Sequence, residues 1–331
     1  MSDKKNIEEQ IQDKTQPYQP KLKIRLMLEI SGADVVLEDS VNRRTGLDMD
    51  FHIVKSYKNA PEESEITIYN MSPSTFNLIY EKAQSFRLSC ARGTEEQFTP
   101  FYTGWGMSYK KINKQIKVVK NEGFMSRNTN APDTETTIKL RSFGFGEMFK
   151  SYQDKVNSII VIDDCRKMLG LEWGHVDPIR YGLLPKGFTI SGSVQKALNL
   201  LGERFNFTCN CNDMKLNLYD KNFGKYDTYG IILNGDNSTT PERLGDKFKT
   251  ETKTIQKKSK KKGKAGIKQH KIIREKQGFK LETMFLPFLQ VGSTCYLDFN
   301  IADAKGEKYI YKIEHIGSNI GTICKTIIYC V

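Results

Sequence analysis

Leu22, Ile24, Leu26, Leu28 and Ile30 alternate with Lys21, Lys23, Arg25, Met27 and Glu29. A step of two sends every second side chain to one face of a strand, and no helix gathers those positions into a single stripe. The pattern returns at Phe51 and Ile53. It returns again at Ile66 and Ile68 between Glu65, Thr67 and Tyr69, and at Phe86, Leu88 and Cys90. Phe101 to Thr103 and Gln115 to Val119 supply two further strands. One helix interrupts them. Ser72 suits an N-cap, Pro73 suits the first helical position, and Phe76, Ile79 and Ala83 share a face. Residues 21–121 are therefore predicted to form a β-barrel or sandwich carrying one helix.

The rest of the chain divides by composition. Residues 1–20 are polar, with Pro17 and Pro20 near the end, and predict a flexible arm. Residues 122–136 hold Gly, Asn, Pro and Asp and predict a linker. A small α+β domain is expected over 137–225. Ile138 and Leu140 open a strand, and Ile159 to Leu169 suits a helix ended by Gly170. A second helix, Val194 to Leu201, is expected to be capped by Ser193 and stopped by Gly202. Next, Phe205, Phe207, Cys209 and Cys211 alternate, Asn212-Asp213 turns, and Met214, Leu216 and Leu218 return. Residues 226–331 are β again, through Leu281 to Phe285 and Thr294 to Phe299. Tyr309 to Ile316 then pairs with Thr322 to Tyr329 across residues 317–321. A chain of 331 residues with 38% hydrophobic content accommodates two or three such units. The fold class is mainly β with α+β: two β-barrel domains and a small α+β domain between them.

The charge is confined to one place. The chain carries +12, and the segment 247–276 alone holds 13 Lys and Arg against Glu251 and Glu275, a net +11. Its densest run places Lys257, Lys258, Lys260, Lys261, Lys262 and Lys264 among Ser, Gly and Ala. Such a run buries no core and is expected to be a solvated basic loop. Those six lysines are the candidate contacts for an anionic partner, either DNA or an acidic protein surface. No aromatic interleaves them, so a stacking platform for single strands is not predicted.

Catalytic patterns are missing. The four histidines, His52, His175, His270 and His315, have neither metal spacing nor a nucleophile motif beside them. Ser191-Gly192-Ser193 lacks the flanking glycines of a nucleophile elbow. Gly104-Trp105-Gly106 is a fragment of a dinucleotide fingerprint with no helix pattern after it. Asp163-Asp164 and the Glu62, Glu65 pair are read as solvated acids. A cell-wall hydrolase would need a catalytic Glu or a zinc site, and neither has a motif here. The seven cysteines are scattered, and Cys209 and Cys211 lack the second pair a zinc site needs, so both are expected to be buried residues. No catalytic residue, cofactor or metal is expected, and the chain is read as a non-enzyme. No apolar stretch approaches the ~20 residues of a membrane helix, and Met1-Ser2-Asp3-Lys4-Lys5 opens no signal peptide. Folding in a cytoplasm, without membrane insertion, is expected.

Two stretches carry a resemblance. Phe51-His52-Ile53-Val54-Lys55-Ser56 is followed by Ser64-Glu65-Ile66-Thr67-Ile68-Tyr69-Asn70-Met71-Ser72, and then by Phe101-Tyr102-Thr103-Gly104. Gly278-Phe279-Lys280-Leu281-Glu282-Thr283-Met284-Phe285-Leu286-Pro287 leads to Val291-Gly292 and to Tyr311-Lys312-Ile313-Glu314-His315-Ile316-Gly317. The chain thereby resembles the baseplate hub proteins of contractile phage tails, over most of residues 21–331. The basic segment 247–276 and the N-terminal arm lie outside that pattern.

The resemblance implies two tube-like domains per subunit and a homotrimer forming a pseudo-sixfold ring that joins the tail tube to a central spike. Implied partners are the tail tube protein, the spike protein, other baseplate proteins, and the tape measure protein or DNA in the lumen. The implied location is the virion baseplate, assembled in the host cytoplasm. The hub part of a secretion-system spike shares this fold. Such proteins usually continue into a β-helical spike, whereas this chain ends soon after its last barrel. The other alternative is a nucleic-acid-binding protein acting through the lysine-rich loop.

Overall fold

A computed structural model describes residues 22–30, 33–38, 47–57, 64–92, 97–114, 133–141, 146–177, 179, 181–220, 230–258, 267–301, 303–319 and 324–331. The first part of the chain forms strands β1 (Leu22–Ile30), β2 (Ala33–Glu38), β3 (Met49–Ser56) and β4 (Ser64–Tyr69), then helix α1 (Pro73–Lys82). Strands β5 (Ala83–Arg92), β6 (Thr99–Lys114) and β7 (Asp133–Arg141) follow. The Ser72 hydroxyl accepts the Thr75 N–H at 3.1 Å, the N-cap expected of that position. Ala83, predicted on the helix face, instead opens β5.

Beyond β7 come β8 (Glu147–Tyr152), β9 (Val156–Asn157), α2 (Ser158–Met168), β10 (Glu172–Val176), β11 (Leu183–Leu184) and β12 (Phe188–Ser193). Helix α3 (Val194–Phe205) and the hairpin β13 (Phe207–Asn212) and β14 (Lys215–Asp220) complete this middle unit. The last part holds β15 (Ile231–Leu233), β16 (Glu242–Lys258), β17 (Ile267–Met284), β18 (Thr294–Leu297), β19 (Gly306–Ser318) and β20 (Lys325–Cys330).

One 13-stranded sheet runs through both ends of the chain, in the order β16-β17-β20-β19-β3-β4-β7-β6-β5-β1-β2, with β18 paired to β19 and β15 to β18. Two cores lie against it. Ile24, Phe51, Ile53, Ile66, Ile68, Phe86, Leu88, Phe101, Ile138 and Leu140 pack with Ile79 of α1 in the first. Leu281, Leu297, Ile310, Ile313, Ile328 and Cys330 belong to the second. Six strands, β1 and β3–β7, send one face into the first cluster, and five, β15 and β17–β20, into the second.

The strand expected to open the middle unit differs in its pairing. Ile138 and Leu140 lie on β7, which begins at Asp133 within the stretch read as a linker. It is hydrogen-bonded between β4 and β6. Its alternating burial completes the first core and not the middle one. The middle unit has its own core, in which Val161, Ile162 and Cys165 of α2 meet Val194, Leu198 and Leu201 of α3 and Phe207, Cys209, Leu216 and Leu218 of the hairpin.

Two details of α3 depart from expectation. Ser193 stands at the N-cap without a side-chain cap hydrogen bond. Gly202 does not stop the helix, which runs on to Phe205 and ends at Asn206, in the left-handed conformation with φ 61°. Gly202 is there for contact: a Cβ at this position would lie 2.6 Å from the Phe207 carbonyl oxygen. The helix can therefore press against the start of β13 only where it has no side chain.

Much of the basic segment, expected to be a loop, is strand. Residues 247–258 and 267–276 are strand, within β16 and β17, and residues 259–266 lie outside the described residues. Gln115 to Val119, the residues of the N-terminal arm and those of 221–229 lie outside them too.

Gly202→Ala is expected to destabilise the chain by roughly 1–3 kcal/mol despite the better helix propensity of alanine, because backbone must move to admit the methyl. A urea melt followed by circular dichroism measures this.

Candidate assembly surfaces

The sequence pattern of β3 puts Phe51, Ile53 and Lys55 on one face, and all three are buried, Lys55 to 1% exposure. A buried ammonium needs a partner. Asp213 supplies it, with Oδ2 2.6 Å from Lys55 Nζ. Asp213 and Met214 form the β13–β14 turn with φ of 53° and 62°, the two left-handed residues of a tight hairpin turn. The other carboxylate oxygen of Asp213 accepts the Thr103 N–H of β6 at 3.2 Å. The tip of the middle unit's hairpin is thus held on two strands of the main sheet.

Polar and aromatic contacts extend this joint. Asn210 and Asn212 each donate a side-chain N–H to the Ser56 carbonyl, at 3.1 and 3.4 Å. Tyr57 stacks on Tyr219 with ring centroids 4.9 Å apart, and Tyr219 stacks on His175 at 5.6 Å. His175 contacts Asp177 at 2.7 Å, and Asp177 accepts the Asp220 N–H at 2.9 Å. Burial pushes the Tyr57 phenol up, helped by Tyr219, Asp177 and Asp220, so it stays protonated.

A second joint lies where the two ends of the chain meet. Strands β3 and β19 pair from Lys312↔Ser56 to Ser318↔Asp50. Gly317 faces Phe51, and a Cβ there would sit 2.5 Å from the Phe51 ring. Phe51, Phe101 and Phe285 pack with centroids 5.1 to 5.6 Å apart, and His315 lies edge-on to Phe101 and Phe285. Asn319 closes the seam by accepting the Met49 N–H at 2.7 Å and donating to the Leu47 carbonyl at 2.8 Å.

His315 is fully buried. Its Nδ1 lies 3.0 Å from the Thr326 hydroxyl, and its Nε2 has no hydrogen-bond partner. Burial, and next the Lys55 charge, hold its pKa well below the ordinary histidine value, so the ring is neutral.

His52 and the adjacent acids of α2 are engaged in ion pairs. His52 meets Glu314 at 3.2 Å, and Glu314 also meets Lys312 at 2.9 Å. Burial raises the Glu314 carboxyl, but the bonds from Lys312, Tyr329 and His52 prevail and hold it low. The adjacent acids of α2 diverge. Asp163 binds Lys167 and Arg166, each at 2.8 Å, and Asp164 binds Lys150 and the Tyr152 hydroxyl, each at 2.7 Å. A cavity of about 420 Å³ beside α2 is lined by Ile159, Ile160, Asp163, Trp173 and Val176. Its only acid is Asp163, already neutralised by two cations. Cys209 and Cys211 both point into the middle core as expected. Burial pushes the Cys209 thiol up to about 12 and raises Cys211 as well, so both are protonated thiols. Among the described residues no group of three His, Cys, Asp or Glu is placed to hold a metal ion. No described helix is long and apolar enough to cross a membrane.

The six candidate lysines divide. Lys257 and Lys258 end β16, opposite Lys268 and Ile267 of β17. Lys260, Lys261, Lys262 and Lys264 lie outside the described residues.

The same fold occurs in solved structures of known proteins. The 43 kDa tail protein of prophage MuSo2 from Shewanella oneidensis matches with a TM-score of 0.54 at 12% identity, over 93% of this chain and 97% of that one. A tail protein from Neisseria meningitidis MC58 matches with a TM-score of 0.55 at 7% identity, over 95% of this chain and 96% of that one. A chain of a PdpA–VgrG complex matches with a TM-score of 0.50 at 11% identity, over 95% of this chain but 64% of that one. No protein-family model matches the sequence, and no curated protein does. The chain has the fold of these tail proteins.

Asp213→Ala leaves Lys55 charged and buried without a partner. It is expected to cost roughly 3–5 kcal/mol, whereas Lys55→Met with Asp213→Ala should cost much less. Chemical denaturation of both variants tests this. His315 contributes a pH dependence of definite sign. Its folded pKa lies below the unfolded value near 6.5, so the unfolded chain binds the extra proton first. Its share of stability is complete above about pH 6.5 and falls by up to about 1.4 kcal/mol per unit as pH drops below it. Melts of wild type and His315→Gln between pH 7.5 and 5 should diverge by that slope.

Proposed function

We propose that this chain is the structural hub of a contractile phage tail baseplate, a ring that joins the tail tube to the central spike. The observation that carries the reading is the two-way coverage of phage tail proteins. The Shewanella and Neisseria proteins are matched almost end to end, and so is this chain. The division into a first tube-like domain, an α+β domain and a second tube-like domain is part of the proposal.

On this reading the mechanism is geometric. A β-sheet edge presents unpaired N–H and C=O groups that a neighbouring copy can satisfy. Strands β2 and β16 stand at the two ends of the described sheet order. Two tube-like units per chain, repeated three times, close a ring of sixfold appearance that fits a hexameric tube on one side and a trimeric spike on the other. The partners are then a second and third copy, the tail tube protein, the spike protein and other baseplate proteins. The lumen passes the tape measure protein and then DNA.

The PdpA–VgrG neighbour favours one other reading, the hub of a secretion-system spike. Proteomics of purified tail particles separates the two, since only a virion hub is recovered with the tail tube.

Light scattering on the full chain, alone and mixed with the tail tube and spike proteins, tests the hub. A mass about three times 38.0 kDa, alone or on mixing, is expected. A monomer that ignores both partners overturns the reading.

A further inference from the structure

Strand β17 pairs with β20 only from Phe279 to Met284. Beyond that point β16 and β17 pair with each other alone, from Lys247↔Gln277 to Lys258↔Ile267. At about 3.3 Å per residue this two-stranded ribbon runs on for roughly 35 Å. Its charge is graded. At the base, acids compensate: Glu242 stands opposite Lys280, and Lys249 opposite Glu275. Past Glu251 compensation stops. Residues 252–258 and 267–271 carry Lys253, Lys257, Lys258, Lys268 and Lys271 and no acid.

The register makes this costly. Lys257 and Lys268 are direct cross-strand partners, and like charges in that position repel. The rest of the chain, at +1, carries almost no net charge to offset it.

The kind of cation says which partner. The two strands from 247 to 276 hold eight lysines and one arginine. Arginine is the residue whose fork matches a carboxylate bidentately, whereas lysine acts as a point charge suited to diffuse phosphate neutralisation. The shape agrees. Two strands about 4.8 Å apart make a ribbon that the major groove, about 12 Å wide, admits.

We infer that the outer part of the β16–β17 ribbon binds duplex DNA through its phosphates, without regard to sequence. This goes beyond the hub reading and does not require it.

Fluorescence anisotropy of the full-length protein with a labelled 30-base-pair duplex tests the inference. Binding is expected at 50 mM salt, equal for a scrambled duplex. With about four phosphates neutralised, affinity should fall about 100-fold by 200 mM salt. Replacing Lys257, Lys258, Lys268 and Lys271 together by Gln should weaken binding at 50 mM salt at least ~10-fold and flatten the salt dependence, and replacing all four by Arg should preserve it. Circular dichroism of each variant confirms folding. The inference is overturned by no binding at 50 mM salt or by a Gln variant that binds as wild type does. It is overturned equally by a chain that binds poly-glutamate and ignores the duplex, which would point to an acidic protein. The mass of the assembly is read separately, so a failed hub and a failed DNA contact are distinguishable.

Discussion

The pairing of β3 with β19 holds the two tube-like halves as one sheet. Everything near it serves that contact. Gly317 clears space for the Phe51 ring, and Phe101 and Phe285 come from strand and bend on either side to cover it. Asn319 satisfies backbone groups of residues 47 and 49 where the ladder ends. His315 lies in the aromatic cluster without a partner for Nε2. Burial, and next the Lys55 charge, keep that ring neutral.

Charge is distributed by the same logic. Lys55 is buried and paid for by a single carboxylate on the tip of a hairpin, so the position of the middle unit is fixed by direction as well as by area. Breaking such a pair is costly and forming it adds little net stability, so its effect is to specify geometry. The ribbon of β16 and β17 is the opposite case. Its outer residues, 252–258 and 267–271, carry five lysines and no acid in sequence.

Much of the fold was legible. Period-two alternation located β3, β4, β5, the β13–β14 hairpin and the β19–β20 pair, because each buries one face. Partners over long distance were not legible, since alternation says which face is buried and not against which strand; Ile138 and Leu140, expected to open the middle unit, lie on a strand paired with β4 and β6. Gly202 resembled a helix stop because a glycine that ends a helix and one that permits close packing are the same letter. The basic segment resembled a loop because composition reports the lack of a core, and a two-stranded ribbon needs none. Lys55 carried a usable signal: it shares a parity with Phe51 and Ile53, so a lysine on the inward face called for an acid. Nothing local indicated that Asp213 would supply it.

The seam joins residues from opposite ends of the polypeptide; Met49 and Asn319 are 270 positions apart. Long-range strand pairing is slow because chain entropy is lost before the contact repays it. During synthesis, β3 emerges early and pairs with β4, and its other edge waits bare until almost the whole chain has left the ribosome. A bare edge is a template for any other strand. The order of translation therefore exposes the most important edge of the fold for the longest time, and the yield of folded protein in the cell depends on keeping nascent copies apart until the final strands arrive.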